Sequence, residues 1–196
     1  MQSHGTAMIR DPSMRRRPHG FTLLELMVTV FVLGVLLGVG VPSFFETIRS
    51  NRATADTNEL VSALSIARSE AVRRGARVTL CGTSNGASCD GAWGQRWMLF
   101  VDGAATDTAG PTAITTANTL RDWAAPVGNT AITMRRTNGA AATVNWIRFL
   151  PRGEVRTHNN VLPLVVRIEI DGCSGTQARN VELNAVGRTT VERGTC

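Results

Sequence analysis

The sequence contains no lysine, and its 21 positively charged side chains are all arginine. We attribute this bias to a GC-rich coding style rather than to a binding function. It also contains no nucleophile motif, no metal-ligand motif and no glycine-rich phosphate loop. The three histidines are scattered, with His4 and His19 near the start and His158 alone in a predicted turn. These absences argue against an enzyme, and we predict a non-enzymatic protein without a cofactor or a bound metal.

Ionisable side chains are also missing from residues 21–41, with the single exception of Glu25. An α-helix rises about 1.5 Å per residue, so this run would span roughly 30 Å, the thickness of a bilayer core. The cluster Arg15-Arg16-Arg17 precedes the run, and arginines in this position keep the N-terminus in the cytoplasm. We therefore predict one transmembrane helix over 21–41. A lone carboxylate in such a helix costs about 2.5–3.5 kcal/mol on insertion scales, so Glu25 is expected to have a functional partner.

The stretch Gly20-Phe21-Thr22-Leu23-Leu24-Glu25, ahead of the apolar run, resembles the signal of type IV prepilins and type II secretion pseudopilins. The resemblance implies that a prepilin peptidase removes residues 1–20 by cutting after Gly20, and that Phe21 is then N-methylated. It also implies that Glu25 is needed for assembly, where the N-terminal amine of a neighbouring subunit would supply the cation that a buried carboxylate needs. The alternative is an ordinary signal peptide or signal anchor, but a signal peptide would place its cleavage site after the apolar run.

The start of translation stays open between Met1, Met8 and Met14. With the predicted topology, the chain crosses the bacterial inner membrane once and places the domain that follows in the periplasm. It then leaves the membrane to join a pilus or pseudopilus.

Four cysteines lie beyond the apolar run, at Cys81, Cys89, Cys173 and Cys196. The predicted topology places them in an oxidising compartment, where an even number of cysteines indicates disulfides. Three pairings are possible, and proximity along the chain favours Cys81–Cys89 and Cys173–Cys196. Metal binding is the rival interpretation, but no Cys-x-x-Cys occurs and the histidines are scattered.

A helical pattern continues after the apolar run, over residues 42–75. Pro42 is predicted to kink this helix without ending it. One helix face is apolar, with Leu60, Leu64, Ala67 and Ala71 at helical spacing. The arginines at 73 and 74 and the glycine at 75 provide an end. We expect this face to pack on a domain formed by residues 76–196.

After residue 75 the apolar period changes from 3.6 to 2, which indicates strands. The strand candidates are 77–81, 96–102, 131–136, 143–150, 164–170, 180–185 and 188–192, and residues 103–118 read as a loop. A long helix followed only by strands argues for the α+β class. We predict a pilin-like fold, in which a long N-terminal helix packs on an antiparallel β-sheet domain.

Three further stretches resemble the GspH/FimT family: residues 58–75, residues 78–81 and residues 97–102. This family joins the H-type pseudopilins of type II secretion and the FimT/FimU-type minor pilins of type IV pili. The resemblance implies a filament subunit at or near the tip, assembled with other minor pilins or pseudopilins and the major subunit, and processed by the prepilin peptidase and N-methyltransferase. The cysteine pairs and the segment 62–71 favour a role in pilus assembly, with the H-type pseudopilin as the alternative.

Some FimT-type proteins carry a C-terminal Gly-Arg-x-Arg motif that contacts DNA during natural transformation. This chain has Gly187-Arg188-Thr189-Thr190, so one of the two arginines is present, and Arg179 and Arg193 could complete a small basic patch. Two or three phosphate contacts support only weak, salt-dependent binding, and no aromatic residue is interleaved for base stacking. DNA therefore stays an alternative partner.

Overall fold

The computed structural model describes residues 20–124, 126 and 129–196, in two compact units that divide between Pro42 and Ser43. Residues 1–19 of the predicted leader lie outside the described residues, and so does the side chain of Pro42. The cleavage of the leader and the kink at Pro42 therefore stay predictions.

One α-helix, α1, covers Leu23–Arg74. It begins after Thr22, whose Oγ1 accepts a hydrogen bond from the backbone N–H of Glu25 at 3.2 Å. A threonine in this place satisfies one of the N–H groups that the start of a helix leaves unpaired. The expected membrane span over 21–41 meets a contrary finding, because no helix in the described part of the chain is long and apolar enough to cross a membrane.

The second part of α1 buries the apolar face that its sequence predicts. Leu60, Leu64, Ala67 and Ala71 are at most 1 % exposed, which confirms the predicted stripe. The helix ends at Arg74, and the following residue, Gly75, has a φ of +61°. The N–H of Gly75 bonds to the carbonyl of Val72, and the next N–H bonds to the carbonyl of Ala71. Glycine adopts this left-handed conformation without a steric penalty, so it ends the helix at the predicted position.

Nine strands follow among the described residues: β1 (Val78–Thr83), β2 (Arg96–Val101), β3 (Thr119–Trp123), β4 (Thr130–Arg136), β5 (Trp146–Phe149), β6 (Val155–Thr157), β7 (Leu164–Ile170), β8 (Ala178–Leu183) and β9 (Thr189–Gly194). They form a five-stranded sheet in the order β3-β2-β1-β5-β6 and a four-stranded sheet in the order β4-β7-β8-β9. All neighbouring strands are antiparallel. The predicted α+β class, with a long helix on antiparallel sheet, is confirmed.

Two strands, β3 and β6, are not predicted by the sequence pattern. β3 lies at the edge of its sheet, where Arg121 and Asp122 are exposed, so it shows little apolar alternation. β6 has only three residues, too few for a period to be visible. In contrast, the predicted strand over 143–150 is shorter in the structure, because only Trp146–Phe149 pair with β1 and β6.

The main core lies where α1 meets both sheets. Leu60 and Leu64 of the helix pack in one apolar cluster with residues of the eight strands β1 to β8, among them Leu80, Leu99, Ile147, Val166 and Val181. A second, smaller cluster contains Cys81, Met98, Phe100, Ile114 and Trp146. Alternate side chains of a strand point to opposite faces, so β1 and β2 contribute to both clusters. The loops that follow these two strands cover the second cluster.

Candidate functional site

The predicted processing and assembly residues lie together at the start of α1. Gly20 and Phe21 precede the helix and are exposed, and Glu25 lies in the first turn with an exposed side chain. An acidic side chain is favoured there by the partial positive charge of the helix N-terminus. Within the described residues no salt bridge includes Glu25. The carboxylate is therefore accessible to a cation supplied by another molecule.

An apolar surface surrounds Glu25. We call residues 21–41 the apolar helix segment, and those of its large apolar side chains that the structure describes have exposed fractions of 45–82 %. Monomeric soluble proteins rarely leave a contiguous apolar surface of this size uncovered, and such surfaces mark sites of interaction with proteins or membranes. The segment thus combines a long apolar surface with a single carboxylate at its beginning.

The four cysteines form two disulfides, in the pairing that proximity favours. Cys81 bonds to Cys89 with their Cα atoms 5.5 Å apart, and Cys173 bonds to Cys196 with their Cα atoms 5.7 Å apart. The first disulfide closes the loop after β1 and packs against the second apolar cluster. The other joins the last residue to the turn after β7.

A buried ion pair lies between the five-stranded sheet and the loop after β2. The side chains of Arg148 and Asp102 are both 0 % exposed, and their closest nitrogen–oxygen distance is 2.6 Å. Arg148 also donates to the carbonyl oxygens of Thr106, Asp107 and Ala109 at 2.7–3.2 Å. Its guanidinium carbon lies 4.4 Å from the ring centre of Trp146. One guanidinium thereby binds three backbone carbonyls of the loop.

Asp102 receives hydrogen bonds from several directions. Thr79 donates its hydroxyl to Oδ2 at 2.6 Å, and the backbone N–H of Thr112 donates to Oδ1 at 3.1 Å. Burial by itself would raise the pKa of this carboxyl. The hydrogen bonds from Thr79, Thr112 and Arg148, together with the charge of Arg148, outweigh burial and hold the pKa below its ordinary value. Asp102 thus stays ionised and paired.

Sequence reasoning missed this pair, although one signal was visible. Arg148 stands in the apolar strand Trp146-Ile147-Arg148-Phe149, where a charge is rarely buried without a partner. The partner could not be identified, because Asp102 is 46 residues away and meets Arg148 only through the pairing of β1 with β2 and β5.

Arg179 is placed differently from its predicted role in a basic patch. It is 6 % exposed and lies on the face of β8 that packs against α1. Its guanidinium donates to the hydroxyls of Ser50 and Thr54, both at 3.2 Å, and to three backbone carbonyls. Burial, and then the charge of Arg193, lower its pKa. The DNA-contact prediction is wrong for Arg179, because its donors are already engaged in joining α1 to the sheet.

Arg188 and Arg193 are both exposed, but Arg188 immediately precedes β9 whereas Arg193 lies near its other end. Gly187, next to Arg188 in the sequence, has a structural reason to be glycine. Its φ is +78°, and a Cβ atom there would lie 2.6 Å from the carbonyl oxygen of Gly153. The Gly-Arg pair therefore belongs to a tight turn that packs against the neighbouring loop, and the three arginines do not form one patch.

Among the described residues, no group of three histidine, cysteine, aspartate or glutamate side chains is placed to hold a metal ion. His158 lies beside Trp146, with the ring centres 6.2 Å apart, and its side chain is half-buried. Its ring packs on an aromatic neighbour.

Comparisons with known proteins complete these observations. The family model of the type II transport protein GspH matches residues 56–187, and that of the prokaryotic N-terminal methylation motif matches residues 15–41. The chain is similar to the type IV minor pilin FimU of Pseudomonas aeruginosa strain PAO1, with a TM-score of 0.48 and 18 % identity over 72 % of this chain and 89 % of that one. It is also similar to the minor pseudopilin EpsH from the type 2 secretion system of Vibrio cholerae, with a TM-score of 0.46 and 14 % identity over 72 % and 97 % of the two chains. No curated protein sequence matches.

The buried ion pair predicts a pH-dependent loss of stability. Asp102→Asn should lower the free energy of unfolding by about 3–5 kcal/mol at neutral pH, because it leaves Arg148 buried without a counter-charge. The folded-state pKa of Asp102 is lowered, so its stabilisation is present above its ordinary pKa of about 3.9 and is lost as the pH falls through the lowered value. The gap between wild type and variant should therefore shrink below about pH 4.

Urea unfolding of the full chain in detergent micelles, followed by tryptophan fluorescence at several pH values, measures both effects. Asp122→Asn is the matched control, since Asp122 is exposed and lies 4.0 Å from Arg96; it should change stability by less than about 0.5 kcal/mol. A gap between wild type and Asp102→Asn that stays constant down to acidic pH would contradict the role of the ionised carboxyl.

Proposed function

Because the chain belongs to the family of the type II transport protein GspH, we propose that it is a non-enzymatic minor pilin or pseudopilin that enters a filament through its apolar helix segment. The observation that carries this proposal is the exposure of that segment beside a carboxylate without an ion-pair partner among the described residues. Its function is to assemble with other filament subunits.

In the proposed assembly, the prepilin peptidase cuts between Gly20 and Phe21 and the new N-terminal residue is methylated. The methylation motif matched over residues 15–41 supports this processing. The unprocessed and unassembled chain is anchored at the bacterial inner membrane. In the filament, helices of neighbouring subunits replace lipid around the apolar helix segment.

Glu25 then meets the N-terminal amine of a neighbouring subunit. In an apolar bundle, an unpaired carboxylate is strongly disfavoured, whereas a close cation compensates its charge. This requirement selects one axial position of a subunit against its neighbour, because only there do the amine and the carboxylate meet. The proposal thus gives Glu25 the task of fixing the register of assembly.

We place the subunit at or near the tip of a type IV pilus, as a FimT/FimU-like minor pilin that takes part in pilus assembly with other minor pilins. The resemblance of residues 62–71 and the two disulfides support this branch. A second candidate is the H-type pseudopilin of type II secretion, favoured by the description of the matching family as a type II transport protein.

The assembly role predicts a sharp defect for Glu25→Leu. The variant should accumulate in the membrane at the wild-type level, because leucine suits an apolar helix, yet its incorporation into sheared filaments should fall about a hundredfold, since the partner amine is left unpaired. Quantitative immunoblotting of membrane and filament fractions measures both amounts.

The matched control is Thr29→Ala, one turn further along the same helix. Thr29 is exposed and its hydroxyl bonds only to the carbonyl of Leu26 in its own helix, at 2.8 Å, so incorporation should be unchanged. Equal incorporation of Glu25→Leu and wild type would refute the assigned role of Glu25.

The processing step predicts a specific mature N-terminus. Mass spectrometry of the membrane form, made in cells that contain the prepilin peptidase, should show a chain that begins with N-methylated Phe21. A chain that retains Gly20 in these cells would count against the assignment.

The two candidate branches differ in the phenotype of a deletion. As a type IV pilus subunit, the protein should be needed for normal piliation and not for the release of exoproteins. As an H-type pseudopilin, it should be needed for exoprotein release while pili remain. Electron microscopy of pili and assay of secreted proteins in the same deletion strain, complemented by the wild-type gene, decide between them.

A further inference from the structure

The last strand of the four-stranded sheet has one free side. β9 pairs only with β8 among the described strands, and no other element supplies hydrogen bonds to it. Its six residues make it longer than the edge strands β3 and β6 of the other sheet. The fourth edge strand, β4, is partly covered, because residues 141 and 142 return along it.

The register shows which backbone groups of β9 are free. The N–H of Asn184 donates to the carbonyl of Arg188 at 3.1 Å, so these two residues form a hydrogen-bonded pair at the turn. Such pairs alternate along an antiparallel ladder, so Thr190 and Glu192 direct their backbone groups towards β8. The backbone groups of Thr189, Val191 and Arg193 point the other way. We call these three residues the β9 edge.

Two side chains of the β9 edge, Val191 and Arg193, also lack a cover. They lie on the same sheet face as Val181 and Arg179 of β8, which are buried. In contrast, Val191 is 49 % exposed and Arg193 is exposed. Within the described part of 76–196, Val191 and Val186 of the adjacent turn are the exposed large apolar residues. The uncovered apolar surface of the sheet domain is thus confined to the β8–β9 hairpin.

The charge of Arg193 is not compensated within the described residues. It forms no salt bridge there, and its cross-strand partner is another arginine, Arg179. Like charges opposite each other on one sheet face destabilise the pair. The lowered pKa of Arg179, caused first by burial and then by Arg193, reports the same repulsion. A carboxylate next to Arg193 would relieve it.

We propose that the β9 edge binds an extended strand of another protein, which adds antiparallel to the sheet with an apolar side chain opposite Val191 and a carboxylate opposite Arg193. Main-chain hydrogen bonds would supply the affinity of such strand addition, and alternate side chains would supply its specificity. Because the added strand runs antiparallel to β9, its acidic residue comes two positions before its apolar residue in the sequence of that strand. That the strand belongs to a neighbouring filament subunit rests on the proposed function, whereas the strand pairing itself does not.

A second copy of this chain fits the β9 edge less well. Two such edges can pair antiparallel with Val191 opposite Val191, and Arg193 then faces Thr189 and gains no counter-charge. Another register, with Val191 opposite Arg193, sets the two Glu192 side chains against each other. A partner that carries its own carboxylate satisfies the backbone, the valine and the arginine together.

The test uses the full, processed chain in detergent micelles and a blocked heptapeptide of alternating threonine and valine, with aspartate two residues before the central valine. A second peptide has lysine in place of the aspartate. We expect the aspartate peptide to bind about fivefold more tightly than the lysine peptide, from the change of one cross-strand charge pair. Fluorescence anisotropy of labelled peptides measures binding, and hydrogen exchange should show new protection of the Val191 and Arg193 amides.

Two variants, Val191→Pro and Arg193→Glu, separate the contribution of the backbone to peptide binding from that of the side chain. Val191→Pro removes an N–H that points away from β8, so binding should be lost while the urea midpoint of unfolding stays close to that of the wild type. Glu192→Pro is its control, since it removes an N–H that bonds to β8 and should destabilise the domain. Arg193→Glu should reverse the preference, so that the lysine peptide binds more tightly, and this result does not depend on the fold of the proline variants.

Failure of the wild-type chain to bind the aspartate peptide at millimolar concentration would overturn the proposal. So would equal binding of the two peptides, undiminished binding to Val191→Pro, or association of the chain with itself through this edge. None of these outcomes concerns Glu25 or the leader, so failure here is distinguishable from failure of the proposed function.

Discussion

The packing of α1 against two sheets at once is the interaction on which the rest of the structure depends. Small residues such as Ala63, Ala67 and Ala71 alternate with Leu60 and Leu64 along the buried stripe, so strands of both sheets can approach the helix closely. A helix with this stripe has to bury it, and the sheet domain provides the cover. In the apolar helix segment, by contrast, the large apolar side chains that the structure describes are exposed. Folding buries the apolar stripe of α1, and we propose that assembly covers the apolar helix segment.

Buried polar side chains provide further contacts between elements, beyond those of the apolar core. Arg148 and Asp102 join the five-stranded sheet to the loop after β2, and Arg179 joins the other sheet to α1. Each charge is surrounded by hydrogen-bond partners, which is the condition for burying it at all. One disulfide closes the loop after β1, and the other joins Cys196 to the turn after β7. A long loop with little to bury is thus held by Arg148, which bonds to three of its carbonyls, and by Arg77, which bonds to Asp107 and Ala104.

Much of the fold could be predicted from the sequence. The stripe from Leu60 to Ala71, the helix end at Gly75 and the strand β7 all depend on spacing within a few residues, and the structure contains them. The two edge strands β3 and β6 could not be found, because an edge strand needs only backbone partners and shows little side-chain pattern. The division into two sheets was equally hidden, since strand order depends on which distant segments pair.

The candidate site likewise contains some features that could be predicted from the sequence and others that could not. The sequence by itself determined the linear features, namely the apolar run, the glycine before Phe21 and the single carboxylate at Glu25, because all of them lie within one continuous stretch. Only the tertiary structure decided which of the other charged residues are buried and which are exposed. Arg179 looked like a surface cation and is buried under α1, whereas Arg193, its partner on the next strand, is exposed at a free edge. Residue type could not separate these two arginines, because burial of a strand residue depends on what lies above the sheet, and α1 covers β8 but leaves the β9 edge exposed.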